Sequence, residues 1–181
     1  MLSSVLVTYA TRYGSTQEVA EAVATPLREG DLKVDVLPAR EVCKLEGYDA
    51  VVLGAPLYMF RWHKDALSFL DRHRAALTQQ SPESGLRMAI FALGPIHNDE
   101  QEKQSARVQL DKVLAKYPWL KPVALEIFAG KLDPSRLHFP ENLFMGQMAA
   151  SDERDWAAIR AWANSLVKSF TCRQNCCELI R

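Results

Sequence analysis

The run Tyr48-Asp49-Ala50-Val51-Val52-Leu53-Gly54 constrains this chain more than any other stretch. A near-continuous apolar segment of this kind suits a central strand of a parallel sheet with helices over both faces. Similar runs recur, each followed by helical periodicity. Residues 4–9 read as the first strand and 15–29 as the first helix, with Val19, Val23 and Leu27 four apart. A second strand is expected over Lys33 to Leu37 and a short helix at 39–46. After the 48–54 strand come a loop at 55–62 and a helix near 64–78 carrying Leu67, Leu70 and Leu77. Residues 87–93 form the fourth strand, ended by Gly94-Pro95, and a helix near 100–116 stops at Pro118. Val123 to Ala129 is the fifth strand. Ser151 or Asp152 is expected to cap a last helix near 152–169, with Trp156, Ile159, Trp162 (or Ala163), Leu166 and Phe170 as its buried stripe. These β–α units predict an α/β fold, a doubly wound five-stranded parallel sheet with helices on both faces. At 181 residues the chain is expected to form one domain over 1–171, followed by a cysteine-containing tail at 172–181.

Ligands of such sheets bind outside the carboxyl ends of the strands, where the strand order reverses. That rule nominates the loops 10–16, 55–63 and 94–100. In the first, a strand runs into a hydroxyl-rich turn, Thr11-Arg12-Tyr13-Gly14-Ser15-Thr16, that opens a helix. The first turn of a helix carries unpaired N–H groups and the positive end of the helix dipole, so it receives anions. Gly14 lets the backbone come close, Thr11, Ser15 and Thr16 add donors, and Ser15 is also expected to cap the helix. The turn has neither the lysine of a triphosphate loop nor the glycine pattern of a dinucleotide turn. It suits one phosphate monoester held by neutral donors.

The second loop, Ala55 to Lys64, packs Pro56, Leu57, Tyr58, Met59, Phe60 and Trp62 into a segment expected at the surface. A flat ring stacking along Pro56–Tyr58 would occupy that wall. Arg61, His63 and Lys64 would add positive character favouring an anionic ring or an acidic substrate. In the third loop, Gly94, Pro95, Ile96 and His97 could flank a ligand, with His97 able to exchange protons near neutral pH. Asn98 could cap the helix that follows. Tyr58 and His97 are the candidate catalytic residues.

Lys plus Arg equals Asp plus Glu at 22 each, which offers no basic footprint for nucleic acid. No apolar run reaches the roughly 18 residues of a membrane span, and no export signal opens the chain. A cytoplasmic protein is therefore expected, with at most weak peripheral membrane contact. Cys172, Cys176 and Cys177 match no common zinc spacing and have no histidine nearby, so they read as a frayed tail and no metal site is expected.

The turn Thr11 to Thr16 resembles the phosphate loop of the flavodoxins, T-x-[TS]-G-x-T, with Tyr13 in place of the usual hydroxyl amino acid. The resemblance extends over about residues 3–170 and implies a flavodoxin-like fold with FMN as cofactor. It places the FMN phosphate at Thr11, Arg12, Tyr13, Gly14, Ser15 and Thr16, and the flavin ring between 55–60 and 94–98. Val52 to Tyr58, Trp62-His63, Ala129 to Leu132 and Asp155-Trp156 are similar to the menaquinone-dependent protoporphyrinogen dehydrogenases and their flavodoxin-domain relatives. Against that group, the segment Asp133 to Ala150 is short and only mildly apolar. The resemblance implies an FMN-dependent oxidoreductase acting on a small substrate or quinone. The alternative it leaves open is a flavodoxin-type electron carrier serving a redox protein partner. The absence of net acidity weighs against the carrier, since classical carriers are strongly acidic. Oligomeric state stays open.

Overall fold

The computed structural model describes residues 3–58, 61–78, 86–94, 99–133, 135 and 149–171, with side-chain placement of Tyr58 excluded. Its main sheet is built from β1 (Ser4–Tyr9), β2 (Lys33–Pro38), β3 (Ala50–Tyr58), β5 (Arg87–Leu93) and β6 (Ala124–Phe128), in the order β2-β1-β3-β5-β6. All four neighbouring pairs are parallel. The helices are α1 (Ser15–Glu29), α2 (Lys64–Arg72), α3 (Arg74–Thr78), α4 (Glu100–Leu114) and α5 (Trp156–Thr171).

Alternation along the strands divides the core in two. Val5, Val7 and Tyr9 of β1 pack with Val19, Val23 and Leu27 of α1 and with Ile159, Ala163, Leu166 and Phe170 of α5. Leu6 of the same strand faces the opposite side, with Phe69 and Leu70 of α2, Leu77 of α3 and Leu110 of α4. Both faces of the central strands are thus covered, which is why those strands read as continuous apolar runs. No described helix is long and apolar enough to cross a membrane.

Several elements differ from the sequence expectation. No helix forms at 39–46. Arg72 of α2 donates to the Ala39 carbonyl at 2.7 Å and to that of Val42 at 3.3 Å, capturing acceptors a local helix would have used. The third strand runs on to Tyr58 instead of ending at Gly54, because the chain returns as β4 (Arg61–Trp62) and pairs antiparallel with it, Leu57 opposite Trp62. The 64–78 helix is two helices, broken at His73. Within 130–150 the chain forms β7 (Lys131–Leu132), which pairs antiparallel with β8 (Ser151–Asp152). Ser151 and Asp152 therefore do not cap the last helix. Asp155 does, its carboxylate accepting from the Ala158 N–H at 2.9 Å. Trp156, expected in the buried stripe, is 45% exposed because it stands at the first helical position, ahead of that stripe.

Candidate functional site

Strand order reverses between β1 and β3, since β2 lies to one side of β1 and all later strands to the other. The carboxyl ends of β1, β3 and β5 lie side by side there, bringing residues 10–16, Pro56 and Leu57, and Gly94 to one edge. The Ala10 N–H donates to Gly54 O at 2.8 Å, tying the start of the turn to β3. Gly94 lies against Leu57, with only about 3.6 Å from its missing Cβ position to the Leu57 side chain.

The turn is shaped by Thr11, whose Oγ1 accepts from the Gly14 N–H at 2.9 Å. Gly14 is the residue before the helix and takes φ +93°, a left-handed conformation that glycine adopts without strain. Ser15 is therefore the first helical residue and not the cap; Gly14, lacking a side chain, makes no side-chain cap bond. The N–H groups of Gln17 and Glu18 both reach Gly14 O. Those of Ser15 and Thr16 precede the ladder, as the first donors of any helix do. Thr16 is wholly buried, and its Oγ1 has no partner among the described residues. An orphaned buried hydroxyl costs free energy unless a ligand satisfies it. Beside two N–H groups that precede the helical ladder and the helix dipole, the chemistry that satisfies it is an oxyanion. The residues present thus fit a phosphate monoester. A crevice of about 90 Å³ opens beside the turn, lined by Tyr9, Ala10, Thr11, Gln17, Arg40 and Asp65.

Not every expected wall residue faces a ligand. Leu57 is buried and its side chain belongs to the α2–α4 core, so only its backbone is offered at the edge. Trp62 is also buried, its Nε1 donating to Ala55 O at 3.2 Å. It folds under the hairpin as an anchor rather than standing as a ligand wall, its indole N–H satisfied by that carbonyl. Pro56 is half-buried. Met59, Phe60, Pro95, Ile96, His97, Asn98 and Cys172, Cys176 and Cys177 lie outside the described residues. Asp99, and not Asn98, caps α4, accepting from the Gln101 and Glu102 N–H groups at 2.7 and 3.0 Å.

His63 closes the hairpin: its N–H donates to Pro56 O at 3.2 Å and its Nδ1 accepts from the Asp65 N–H at 3.2 Å. Burial pushes its pKa below the ordinary histidine value; Asp65 opposes the shift, while Lys64 and Arg12 add to it. Near neutral pH His63 is uncharged, so the positive character expected of this loop falls to the exposed Arg61 and Lys64.

Sequence reasoning missed Arg154. This guanidinium is 2% exposed and sits against the first turn of α1. Its Nε and Nη2 grip Asp152 at 2.7 and 2.6 Å. Nη1 donates to Glu18 at 2.8 Å and lies 3.4 Å from the Ser15 carbonyl. Its guanidinium carbon lies over the Trp156 ring, 4.5 Å from the centroid. Hydrogen bonds from Arg154 hold the Asp152 carboxyl below its usual range. One signal pointed to it: Glu18 is an acid in the first turn of a helix expected to hold a dianion, which calls for a nearby cation.

Against known proteins, the flavodoxin domain profile matches residues 6–156. The protoporphyrinogen IX dehydrogenase (quinone) of Escherichia coli (strain K12) is 28% identical over 129 residues, covering 70% of this chain and 68% of that protein. The NAD(P)H dehydrogenase (quinone) of Acidovorax ebreus (strain TPSY) is 32% identical over 93 residues, covering 39% of this chain and 46% of its own. Among solved structures, oxidised flavodoxin 1 from Bacillus cereus superposes with a TM-score of 0.57 at 19% identity, covering 92% of this chain and 98% of that one.

Proposed function

Because this chain belongs to the flavodoxin domain family and is an FMN-binding protein, we propose that it is an FMN-dependent oxidoreductase whose electron acceptor is a quinone. The observation carrying the FMN site is the buried Thr16 hydroxyl in the first turn of α1, which has no partner among the described residues. The quinone reading draws on the kinship, over 70% of this chain, with a quinone-linked dehydrogenase.

When bound, FMN supplies a centre that exchanges electrons with donor and acceptor. The chain's own residues bind and orient it. Thr16 Oγ1 and the Ser15 and Thr16 N–H groups would hold the phosphate, while Thr11 fixes the turn through Gly14. Pro56, Leu57, Tyr58 and Gly94, together with Pro95, Ile96 and His97, are the residues that would flank the ring. Leu57 acts there through its backbone. Tyr58 and His97 are the groups we assign to substrate contact. Quinone reduction consumes two electrons and two protons, so a proton source at this edge is part of the reading.

The test is anaerobic. Purified chain carrying FMN is reduced photochemically and mixed with excess menaquinone analogue. Reoxidation of the flavin with one quinol formed per flavin, repeated over many turnovers with a reductant, supports the enzyme. Reoxidation only by a one-electron protein acceptor such as cytochrome c would assign the chain to electron carriage between proteins.

A further inference from the structure

We propose that Arg154 is a positioning residue for the FMN phosphate, holding the first turn of α1 in its receiving arrangement from the far end of the chain. This rests on the reading of residues 11–16 as the phosphate site.

A guanidinium buried to this degree is destabilising unless its donors are satisfied. One carboxylate, Asp152, already neutralises it through a paired fork. The second, Glu18, over-compensates, and it stands in the turn that must accept a phosphate dianion. Left loose, the Glu18 carboxylate would be free to approach the phosphate and repel it. Held at 2.8 Å by Nη1, it is kept against Arg154, and Lys131, 4.0 Å from Asp152, brings the second positive charge to the group. The same Nη1 faces the Ser15 carbonyl, so one planar group joins β8, the approach to α5 and the first turn of α1. Lysine cannot serve these acceptors together, because its donors radiate from a single nitrogen. The Trp156 ring beneath the guanidinium adds a cation–π contact to this arrangement.

Two properties separate this role from simple stabilisation. It acts on the phosphate and not on the ring, so it distinguishes FMN from riboflavin. It is also reciprocal: if Arg154 favours phosphate in the turn, phosphate in the turn favours the Arg154 contacts.

The experiment uses the full chain freed of flavin and titrated with FMN and with riboflavin. In Arg154→Lys the FMN affinity is expected to fall on the order of tenfold with riboflavin affinity unchanged, and Arg154→Met more. Adding Glu18→Ala to Arg154→Met should recover part of the loss, since the released carboxylate is then gone. Equal loss for both flavins, or no loss, overturns the proposal. A readout without any variant covers failure to fold: hydrogen exchange of the wild-type chain with and without inorganic phosphate. Protection at residues 151–155 as well as 11–18 supports the coupling, and protection confined to 11–18 overturns it. If the wild-type chain shows no preference for FMN over riboflavin, the phosphate reading itself fails. A normal preference left intact in the Arg154 variants refutes Arg154 alone.

Discussion

Thr16→Val should move two measured quantities in opposite directions. The side chain is fully buried and its hydroxyl lacks a partner among the described residues. In the flavin-free chain that hydroxyl has left water without compensation, a penalty of about 1–3 kcal/mol. Valine keeps the branched shape and the stiff χ1 of threonine while removing the polar atom. The flavin-free variant is therefore expected to be more stable by about 1 kcal/mol or more, read as a rise in urea midpoint at unchanged slope. With FMN present the order reverses. Losing a hydrogen bond to a charged phosphate costs about 1.5–3 kcal/mol, which is on the order of a 10- to 150-fold weaker FMN affinity. At a hundredfold excess of FMN over the wild-type dissociation constant, binding stabilises the wild type by about 2.7 kcal/mol and the variant by far less. The two unfolding curves should cross as FMN is added. A variant that is less stable without flavin, or that binds FMN as tightly as wild type, would refute the assignment of Thr16 Oγ1.

Gly54→Ala places a methyl 1.9 Å from the Phe91 ring, which is confined by Phe128 and Trp162, so destabilisation of about 1–3 kcal/mol is expected in urea unfolding, with part of it recovered by adding Phe91→Leu. Asp99→Ala removes a cap with two bonds and should cost about 0.5–2 kcal/mol in the same measurement. Burial lowers the pKa of both His63 and His73 in the folded chain, so the unfolded chain binds more protons below about pH 6.5 and stability should fall as pH drops from there. Replacing both histidines with glutamine should flatten that slope between pH 7 and 5; an unchanged slope would remove them as its cause.

Legibility in the sequence followed the range of the interactions. The sheet was readable because helices on both faces leave its central strands apolar throughout, and α1 because Val19, Val23 and Leu27 mark its buried stripe locally. The strand–turn–helix passage at 10–16 was readable for the same reason, since it is set within one short segment, although Gly14 and not Ser15 precedes the helix. Where the outcome depended on a partner far along the chain, the expectation failed. The stretch 39–46 lost its helix to Arg72, which lies 33 residues from Ala39. The loop 55–62 became a hairpin because β3 found β4, and Trp62 went inside because Ala55 offered a carbonyl. Arg154 was missed because nothing near it in sequence indicates Glu18.

That separation bears on how the protein is made. Arg154 and Glu18 are 136 residues apart, so the turn leaves the ribosome long before the side chain that braces it. During synthesis the nascent chain presents a helix start with an unbraced acid, which disfavours a phosphate. Only when α5 docks on α1 does the turn acquire its brace. If Arg154 braces the turn as proposed, a nascent chain not yet made as far as Arg154 would hold FMN more weakly than one in which that contact has formed.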